Sequence, residues 1–565
     1  MNDPTPALWM LDTLRALRAT LERIAVEEAA CLEAIHPDYR ASARNLLHVM
    51  AFHRHAHPGL PKALRQRGLC ALTDCDAHLM SSLEAVITAL EALEGLGPSA
   101  AVTQQQPGSP AGLGGSAALE QHGDRLFGAL AAAGGAGIMV TLPAEAAESP
   151  ALVADLLAAG MSIARINGAD DDPVVWGRMV DALRAARVIT GRPCAIAMDL
   201  AGPKLRTGQL ALQPAVIRAR PPRDRMGRPT QPVRILAVPP GALPGPEDME
   251  AVRLPARLSK AKRLKQGSRL QGRDGSGRWR TLQVVRRGPD GVLLLQAEKT
   301  CHFTSGLVFR QRHGKARLRV GPLAPESGER LLRPGDVLRL TPEPDQGGGT
   351  LPCTLPEVFG DLCLGERVLF DDGRIGAVIR GVSAEEVVIE VTKAQARGSR
   401  LRSDKGINFP DSDLRTPALT AKDIEDLAFA AQHADMISSS FVHRESDIRS
   451  LRHCLEGMGR GDLAVVLKIE TRQAYLNLPR LLLAAMAHGA PVGVMIARGD
   501  LAIECGWEAL APIQEEILRI CTAANVPCIW ATEVLDALAQ HGHPTRPLLT
   551  CLSFRSNCEP DDPLP

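Results

Sequence analysis

Seven short apolar runs alternate with helical segments along much of this 565-residue chain. They occupy residues 137–142, 162–166, 194–200, 435–441, 464–469, 492–497 and 526–531. Short β-rich runs separated by helical segments are typical of parallel α/β folds. The alternation therefore predicts an α/β fold built on a (β/α)₈ TIM-type barrel.

Polar residues close several of these runs at their carboxyl ends. They are Thr141, Asn167, Asp199, Lys468 with Glu470, Arg498 with Asp500, and Thr532. In a (β/α)₈ barrel the carboxyl ends of the strands converge on one face, and the active site lies there. We therefore expect these side chains to share one catalytic face.

Lys468 and Glu470 are two residues apart, so on one strand their side chains point to the same side. Glu470 and Asp500 would reach the barrel mouth from neighbouring strands, and two carboxylates completed by water and substrate phosphate usually hold Mg²⁺. Gly499 and Asp500 open the following helix, whose free N–H groups favour an anion. Such a site can stabilise charge on a transferring phosphoryl group or an enolate. The alternative is that these residues form ordinary salt bridges at the barrel end.

Changes in sequence character divide the chain into six predicted segments. They are a helical N-terminal extension at 1–96, a flexible linker at 97–118, the first part of the barrel at 119–209, an enlarged inserted β domain at 210–400, the second part of the barrel at 401–547 and an atypical tail at 548–565. Helical periodicity marks the extension, whereas Gly, Pro, Gln and Ser dominate the linker. Alternating strands between Gly/Pro-rich turns indicate a β-barrel-like insertion.

Charge and composition argue against several classes of partner. The formal net charge is +1 and aromatic residues make up 3% of the chain, which gives no reason to expect nucleic acid. The basic stretch at 257–273 could contact phosphates, but a solvated surface is the favoured interpretation. No apolar run reaches the roughly 18 residues of a membrane span, so we expect a cytoplasmic protein without a membrane partner. The 13 cysteines contain no CxxC pair, which suits a reducing compartment.

Several longer motifs resemble those of the pyruvate kinase family, in the same order and spacing. They are GMSIARING, MDLAGPKLRTG, FDDGRIG, KGINFPDSDLRTPALTAKDIEDL, LKIET, MIARGDLAIE and WATEVLDALAQHGHPTR. The resemblance covers roughly residues 137–546, including the insertion. The helical extension and the enlarged insertion are similar to a divergent bacterial branch of the family.

The resemblance implies a step of glycolysis, the transfer of a phosphoryl group from phosphoenolpyruvate to ADP, giving pyruvate and ATP. By position, Lys468, Arg165 and Thr532 would be catalytic. Lys468 would stabilise the transferring group and the enolate, and Arg165 would meet the substrate phosphate. Gly499, Asp500 and Thr532 would bind the substrate carboxylate.

The same resemblance implies the ligands of the metal ions and of the nucleotide. Glu470 and Asp500 would hold Mg²⁺ (or Mn²⁺). Arg206 and Lys405 would bind the phosphates of ADP or ATP. Asn167 and Asp199 correspond to ligands of the family's monovalent cation, usually K⁺.

Five positions depart from the family pattern. Ala169 removes a ligand oxygen, Asp170 replaces a histidine on the nucleotide side, and Leu200 replaces a threonine-type ligand. Lys204 stands where many members have glutamate, and its ammonium could replace the charge of the missing cation. We therefore hypothesise that K⁺ is not required. Glu533, where glutamine is usual, adds negative charge near the metal.

The resemblance stops abruptly after Arg546, where the family continues through a helix and an eighth strand. Residues 547–565 leave no crossover helix of the length that a parallel connection needs. We therefore expect a barrel that lacks its last strand, as in a truncated chain.

Two other functions stay open alongside an active kinase. One is a catalytically weak, pyruvate-kinase-like protein whose helical extension serves regulation or assembly. The other is a Mg²⁺-enolate aldolase or lyase acting on a 2-oxo acid. The sequence leaves the oligomeric state undetermined, so a homo-oligomer is allowed.

Overall fold

The computed structural model describes residues 6–95, 115–128, 137–241, 250–288, 291–345 and 349–532. These residues form two compact units. The first unit comprises Met1–Leu205, Leu355–Lys393 and Gly406–Pro565, and the second comprises Arg206–Thr354 and Ala394–Lys405. The predicted six segments remain a prediction, and the tail at 548–565 and most of the linker lie outside the described residues. Among the described residues, no helix has the length and apolar character needed to cross a membrane.

In the described part of the chain, six α-helices precede the first strand of the first unit. They are α1 (Pro6–Glu27), α2 (Ala29–Ala34), α3 (Arg40–His55), α4 (Leu60–Gln66), α5 (Leu79–Leu93) and α6 (Gly115–Phe127). In α1 the apolar residues Leu14, Leu17 and Leu21 recur at intervals of three and four, and all three are buried. This spacing places them on one face of the helix, which packs into the core.

The first half of the barrel follows as alternating strands and helices. Its elements are β1 (Ile138–Thr141), α7 (Pro150–Ala158), β2 (Met161–Asn167), α8 (Pro173–Thr190) and β3 (Ala195–Asp199). Helix α8 begins at an Asp172 N-cap, whose side chain accepts hydrogen bonds from the N–H groups of Val174 and Val175. It ends at Gly191, whose φ of 66° is the left-handed conformation that glycine adopts most easily.

The second unit consists mainly of β-strands. Within it lie β4 (Ile217–Ala219), β5 (Val233–Val238), β6 (Val252–Ser259), β7 (Arg269–Arg273), β8 (Trp279–Arg287), β9 (Leu293–Ala297), β10 (Cys301–Phe303), β11 (Val308–Gln311), β12 (Arg317–Val320), β13 (Glu329–Leu332), β14 (Val337–Thr341) and β15 (Thr350–Pro352). Seven of them close into a barrel in the order β11-β12-β6-β5-β9-β8-β7. The predicted β-barrel-like insertion is confirmed.

The chain then returns to the first unit with β16 (Arg367–Phe370), β17 (Ile375–Val382) and β18 (Val387–Lys393), and crosses the second unit once more with β19 (Ser399–Arg402). The remaining elements belong to the first unit. They are β20 (Ile407–Asn408), α9 (Ala421–His433), β21 (Met436–Ser439), α10 (Glu445–Gly457), β22 (Ala464–Ile469), α11 (Arg472–Met486), β23 (Val492–Ala497), α12 (Arg498–Cys505), α13 (Trp507–Ala523) and β24 (Cys528–Ala531).

Seven strands of the first unit form one parallel sheet in the order β1-β2-β3-β21-β22-β23-β24. These are the seven apolar runs of the sequence, so the predicted α/β class with a TIM-type half-barrel is confirmed. The predicted absence of an eighth strand concerns residues after 532, which lie outside the described residues.

The two faces of this sheet differ in what they contact. On one face Ala197, Val466 and Met495 cluster with Leu126 of α6, while the opposite face packs against the surrounding helices. Lys468 is two residues after Val466, so it lies on the same face, where the apolar filling gives way to polar side chains. The site is built on this carboxyl end.

The N-terminal helices pack against the last helices of the barrel through specific polar contacts. Asn45 of α3 donates from Nδ2 to the carbonyl oxygen of Ala523 at 2.8 Å, and Arg519 of α13 contacts Asp76 at 3.1 Å. Ser42 donates to Asn525 Oδ1 at 2.9 Å. These contacts indicate that the helices and the barrel share one core.

Candidate active site

Lys468 lies at the centre of a buried ion network at the carboxyl end of β22. Its Nζ lies 2.8 Å from Glu470 Oε1 and 3.2 Å from Asp199 Oδ2, and it donates a hydrogen bond to Ser440 Oγ at 2.8 Å. Lys468 and Glu470 thus lie side by side, as their two-residue spacing predicts. The partner Asp199 comes from β3, which is two strands away in the sheet.

Arg165 joins the same network from β2. Its Nε and Nη2 both donate to Asp199 Oδ2, at 3.0 and 2.6 Å, and its Nη1 donates to Thr141 Oγ1 at 2.9 Å. The two cations therefore share one oxygen of a fully buried carboxylate. The Arg165 side chain as a whole is 24% exposed.

Charge interactions in this network outweigh the cost of burial. Burial disfavours the ammonium form of Lys468, but Glu470 and Asp199 more than compensate and raise its pKa above the usual value. Burial likewise disfavours the ionised form of Asp199, yet Lys468 and Arg165 lower its pKa. Lys468 and Arg165 therefore stay positively charged and Asp199 stays negatively charged at neutral pH.

Glu470 is fixed by a second contact that the sequence did not predict. Its Oε2 accepts a hydrogen bond from the backbone N–H of Phe441 at 2.8 Å. Phe441 has a φ of 52°, an uncommon conformation for an aromatic residue, which the loop after β21 maintains here. Ser440, which precedes it, donates to the carbonyl oxygen of Leu200 at 2.7 Å. In the sequence, the run of serines at 438–440 lies at the carboxyl end of an apolar run. That position could have identified Ser440 as a residue of the site.

The segment 498–500 begins helix α12 at the end of β23. Arg498 donates from Nε to the carbonyl oxygen of Ala531 at 2.9 Å and also contacts the carbonyl oxygen of Thr532. A Cβ on Gly499 would come within 3.0 Å of Thr532 Cγ2, so glycine allows this close approach. Asp500 lies 3.8 Å from Lys204, measured from Oδ1 to Nζ. Gly499 and Thr532 are therefore neighbours, as the predicted carboxylate site requires.

Asn167 lies at the end of β2 and is engaged locally. Its Nδ2 donates to Asp170 Oδ2 at 2.6 Å, and its Oδ1 accepts from the N–H of Ala169 at 3.3 Å. A Cβ on the intervening Gly168 would meet the carbonyl oxygen of Asp199 at 2.3 Å, so a larger residue would force this loop to move. Ala169 contributes no side-chain oxygen, and Leu200 is buried and apolar.

Arg206 and Lys405 both belong to the second unit. Arg206 donates from Nη1 to the carbonyl oxygen of Asp404 at 3.2 Å. The N–H of Lys405 donates to Thr207 Oγ1 at 2.8 Å, and the N–H of Thr207 donates back to the carbonyl oxygen of Lys405 at 2.7 Å. The two predicted nucleotide residues are thus close together within their unit.

A cavity next to Asp500 contains an acidic residue that sequence reasoning overlooked. It is lined by residues that include Lys204, Asn408, Asp500 and Glu504. Burial raises the pKa of Glu504 to about 7, although Asn408 donates a hydrogen bond to its Oε1 at 2.8 Å. Within the described ranges, no group of three or more His, Cys, Asp or Glu side chains is arranged to hold a metal ion.

Comparisons with known proteins agree on one family. Residues 314–551 match the family model of the pyruvate kinase barrel domain. Pyruvate kinases of Mycobacterium intracellulare and Mycobacterium tuberculosis are 31% and 32% identical over 232 residues, which are 41% of this chain and 46% of each relative. That of Bacillus licheniformis is 31% identical over 227 residues, 40% of this chain and 36% of the relative. The chain thus spans about half the length, or less, of these relatives.

A crystal structure of a pyruvate kinase from Cryptosporidium parvum is 17% identical to this chain, with a TM-score of 0.48, and covers 74% of this chain and 61% of its own. The family model and these relatives show that part of this chain, residues 314–551, is similar to the barrel domain of pyruvate kinases.

Proposed function

We propose that this chain is a pyruvate kinase, which transfers a phosphoryl group from phosphoenolpyruvate to ADP and yields pyruvate and ATP. The observation that carries the proposal is the buried ammonium of Lys468, held between Glu470 and Asp199 at the end of a barrel strand. A permanently charged ammonium in a site of low dielectric constant can stabilise the negative charge that develops on the enolate oxygen.

Arg165 would bind the phosphoryl group of the substrate. Its guanidinium is held by Asp199 and Thr141, the side chain is partly exposed, and a planar guanidinium is well suited to phosphate oxygens. The substrate carboxylate would lie against Gly499, Asp500 and Thr532, where the free N–H groups at the start of α12 favour an anion. The phosphate and the carboxylate, which are attached to the same carbon of phosphoenolpyruvate, would then each have their own binding group.

Glu470 and Asp500 would hold Mg²⁺ (or Mn²⁺). They follow the ends of the adjacent strands β22 and β23 and supply the hard oxygen donors that this ion prefers. A carboxylate has about four acceptor positions, so Glu470 can still bind a metal while it accepts from Lys468 and Phe441. When bound, the ion would neutralise charge on the transferring phosphoryl group. Arg206 and Lys405 would bind the phosphates of ADP.

The proposed enzyme does not depend on K⁺. Asn167 and Asp199 would be the remaining protein ligands of a monovalent cation, whereas Ala169 and Leu200 provide no side-chain oxygen. Lys204 instead brings a fixed positive charge to within 3.8 Å of Asp500. Asp199 is already neutralised by Arg165 and Lys468. These fixed charges support turnover without the added cation.

A coupled assay tests the activity directly. The purified full chain is incubated with phosphoenolpyruvate, ADP and Mg²⁺, and pyruvate formation is followed beside a Lys468→Met preparation. We expect pyruvate formation with wild type and a loss of about 10²–10³-fold with the variant, the scale of losing one key electrostatic group. Equal signals from both preparations would mean a contaminating enzyme and would refute the proposal.

The two alternative functions give different results in the same assay. A regulatory or assembly protein would show no turnover, and an aldolase or lyase would cleave a 2-oxo acid in the absence of ADP. The ion network favours the kinase because Lys468 and Arg165 place two fixed cations together, as transfer of an anionic group requires. The cytoplasmic location and the homo-oligomeric state remain predictions.

A further inference from the structure

Four neighbouring strands of the closed barrel in the second unit carry many arginines and no acidic residue. These strands are β7, β11, β12 and β6, and their sequences RLQGR, VFRQ, RLRV and VRLPARLS contain seven arginines and neither Asp nor Glu. They are consecutive in the barrel, because β7 pairs with β11, β11 with β12, and β12 with β6. The arginines therefore lie on adjacent strands.

Strand alternation places these side chains on the outer surface of the barrel. Leu270, Phe309 and Leu318 are buried in its core, and the arginines that flank them in sequence are exposed. We call the outward side chains of five of them the arginine face. It consists of Arg257, Arg269, Arg310, Arg317 and Arg319.

The arginine face contains like charges placed directly opposite each other. In the strand register, Arg310 lies opposite Arg317, and Arg319 lies opposite Arg257. Like charges in directly opposed positions destabilise a sheet. In the part of the chain that the structure describes, no acidic side chain forms an ion pair with these four arginines. An external polyanion would relieve this repulsion.

An exposed tryptophan adjoins this surface. Trp279 on β8 lies opposite Arg273 on β7, is 65% exposed, and has the Arg273 guanidinium carbon 5.8 Å from its ring centroid. Most tryptophans in proteins are largely buried. Proteins that bind single-stranded nucleic acids combine exposed aromatic rings with basic side chains, because bases stack on the ring while phosphates contact the cations.

We propose that the arginine face and Trp279 form a binding site for single-stranded nucleic acid. The site lies wholly within the second unit and is independent of the proposed kinase activity. The net charge of +1, from which the sequence predicted no nucleic-acid partner, is an average over the whole chain and conceals this local concentration of positive charge. Stable attachment to an anionic membrane needs an apolar anchor in addition to basic residues, whereas this surface offers arginines and one exposed indole.

The dimensions of the surface suit a short strand. The five strands from β8 to β6 are spaced about 4.8 Å apart and curve around the closed barrel, so the arc that they cover is roughly 20 Å long. Single-strand-binding β-barrels of the OB-fold type bind about 4–16 nucleotides each. A labelled single-stranded RNA of about 12 nucleotides is therefore a suitable probe.

The test is fluorescence anisotropy of that RNA with the full chain between about 50 and 200 mM salt. With five phosphate contacts, the slope of log K against log salt should be about −3.5, since each contact on a single strand contributes about 0.7. Replacing both Arg317→Gln and Arg319→Gln should weaken binding and make the slope shallower by about 1.4. The repulsion in the barrel falls in this variant, so loss of stability would not explain the result.

Two further variants separate stacking from charge. Trp279→Ala should weaken binding by about tenfold and leave the salt slope unchanged, because a stacked base contributes without releasing counterions. The double variant Arg54→Gln with Arg449→Gln removes the same charge from exposed helix positions of the first unit and should bind like wild type.

Several results would overturn the proposal. These are no RNA binding at about 50 mM salt, equal weakening by the Arg54 and Arg449 control, or an unchanged affinity in Trp279→Ala. Inorganic polyphosphate of matched charge and anionic lipid vesicles serve as competitors. If either displaces the RNA at an equal charge concentration, the surface is a general polyanion site and the assignment to nucleic acid is wrong.

Discussion

The ammonium of Lys468 lies 2.8 Å from Glu470 Oε1, and both side chains are buried at the end of one strand. Because the two residues are neighbours on the same face, backbone geometry sets their proximity, and it does not depend on a flexible loop. Asp199 completes the arrangement on the other side of the ammonium at 3.2 Å. The network therefore serves both the stability of the fold and the proposed chemistry.

Lys468→Met should destabilise the protein as well as inactivate it. Removing one partner of a buried ion pair leaves an uncompensated charge, so we expect the free energy of unfolding to fall by about 3–5 kcal/mol in urea titrations. Adding Glu470→Gln to this variant should restore part of the stability and none of the activity. If the single variant is as stable as wild type, the network is not formed as described.

Lys204→Glu should make activity depend on K⁺. The wild type should turn over in K⁺-free buffer, because the Lys204 ammonium lies 3.8 Å from Asp500. The variant should lose activity there and recover at least roughly fivefold on addition of K⁺, the size of a unit-charge interaction at that distance in water. Lys62→Glu, an exposed change on α4, is the control and should behave like wild type. K⁺ stimulation of the wild type would contradict the prediction.

Glu504→Gln should change how stability depends on pH. The folded pKa of about 7 lies above the ordinary 4.5, so the folded state binds more protons than the unfolded state between these values. The stability due to this group is therefore complete below about pH 4.5 and is lost as the pH rises through 7, by up to about 3 kcal/mol.

The glutamine variant keeps the acceptor for Asn408 and cannot ionise. It should therefore be more stable than wild type at pH 8 and similar at pH 4.5, as measured by urea unfolding across this range. Parallel pH profiles of the two proteins would show that Glu504 does not titrate as described.

Asn45→Ala should loosen the attachment of the N-terminal helices to the barrel. The Asn45 amide bonds the carbonyl oxygens of Ala523 and Asp76 and accepts from the N–H of Leu79. Leaving these groups unpaired should cost about 1–3 kcal/mol in thermal or urea unfolding. Ser81→Ala, at an exposed site on α5, should cost less than about 0.5 kcal/mol. Equal effects of both changes would mean that Asn45 does not link the two layers.

Much of the fold could be predicted because its signals are local. The run at 464–469 predicts a strand, and β22 spans Ala464–Ile469. The two-residue spacing of Lys468 and Glu470 was sufficient to place them together. Gly499 lies at the start of a helix because β23 ends at Ala497 and α12 begins at the next residue, and this too is a local feature of the sequence. The similarity of residues 314–551 to the pyruvate kinase barrel domain rests on motifs of this local kind.

Other features of the site could not be derived from local patterns. Ser440 and the backbone N–H of Phe441 contact Lys468 and Glu470 because β21, which they follow, pairs with β22 in the sheet. Glu504 resembles an ordinary helix residue until burial raises its pKa to about 7. The net charge of the whole chain does not reveal the arginine face, because its arginines come together only when four strands pair in the barrel.

Side-chain alternation and helical periodicity are properties of neighbouring residues, and the amino-acid order alone is enough to specify strands, helices and the direction of Lys468 relative to Glu470. The pairing of Lys468 with Asp199 joins residues far apart in the chain, and the opposition of Arg319 to Arg257 depends on strand register. Such contacts exist only after the strands have paired, because the distances and the burial that set their energies are absent from the linear chain.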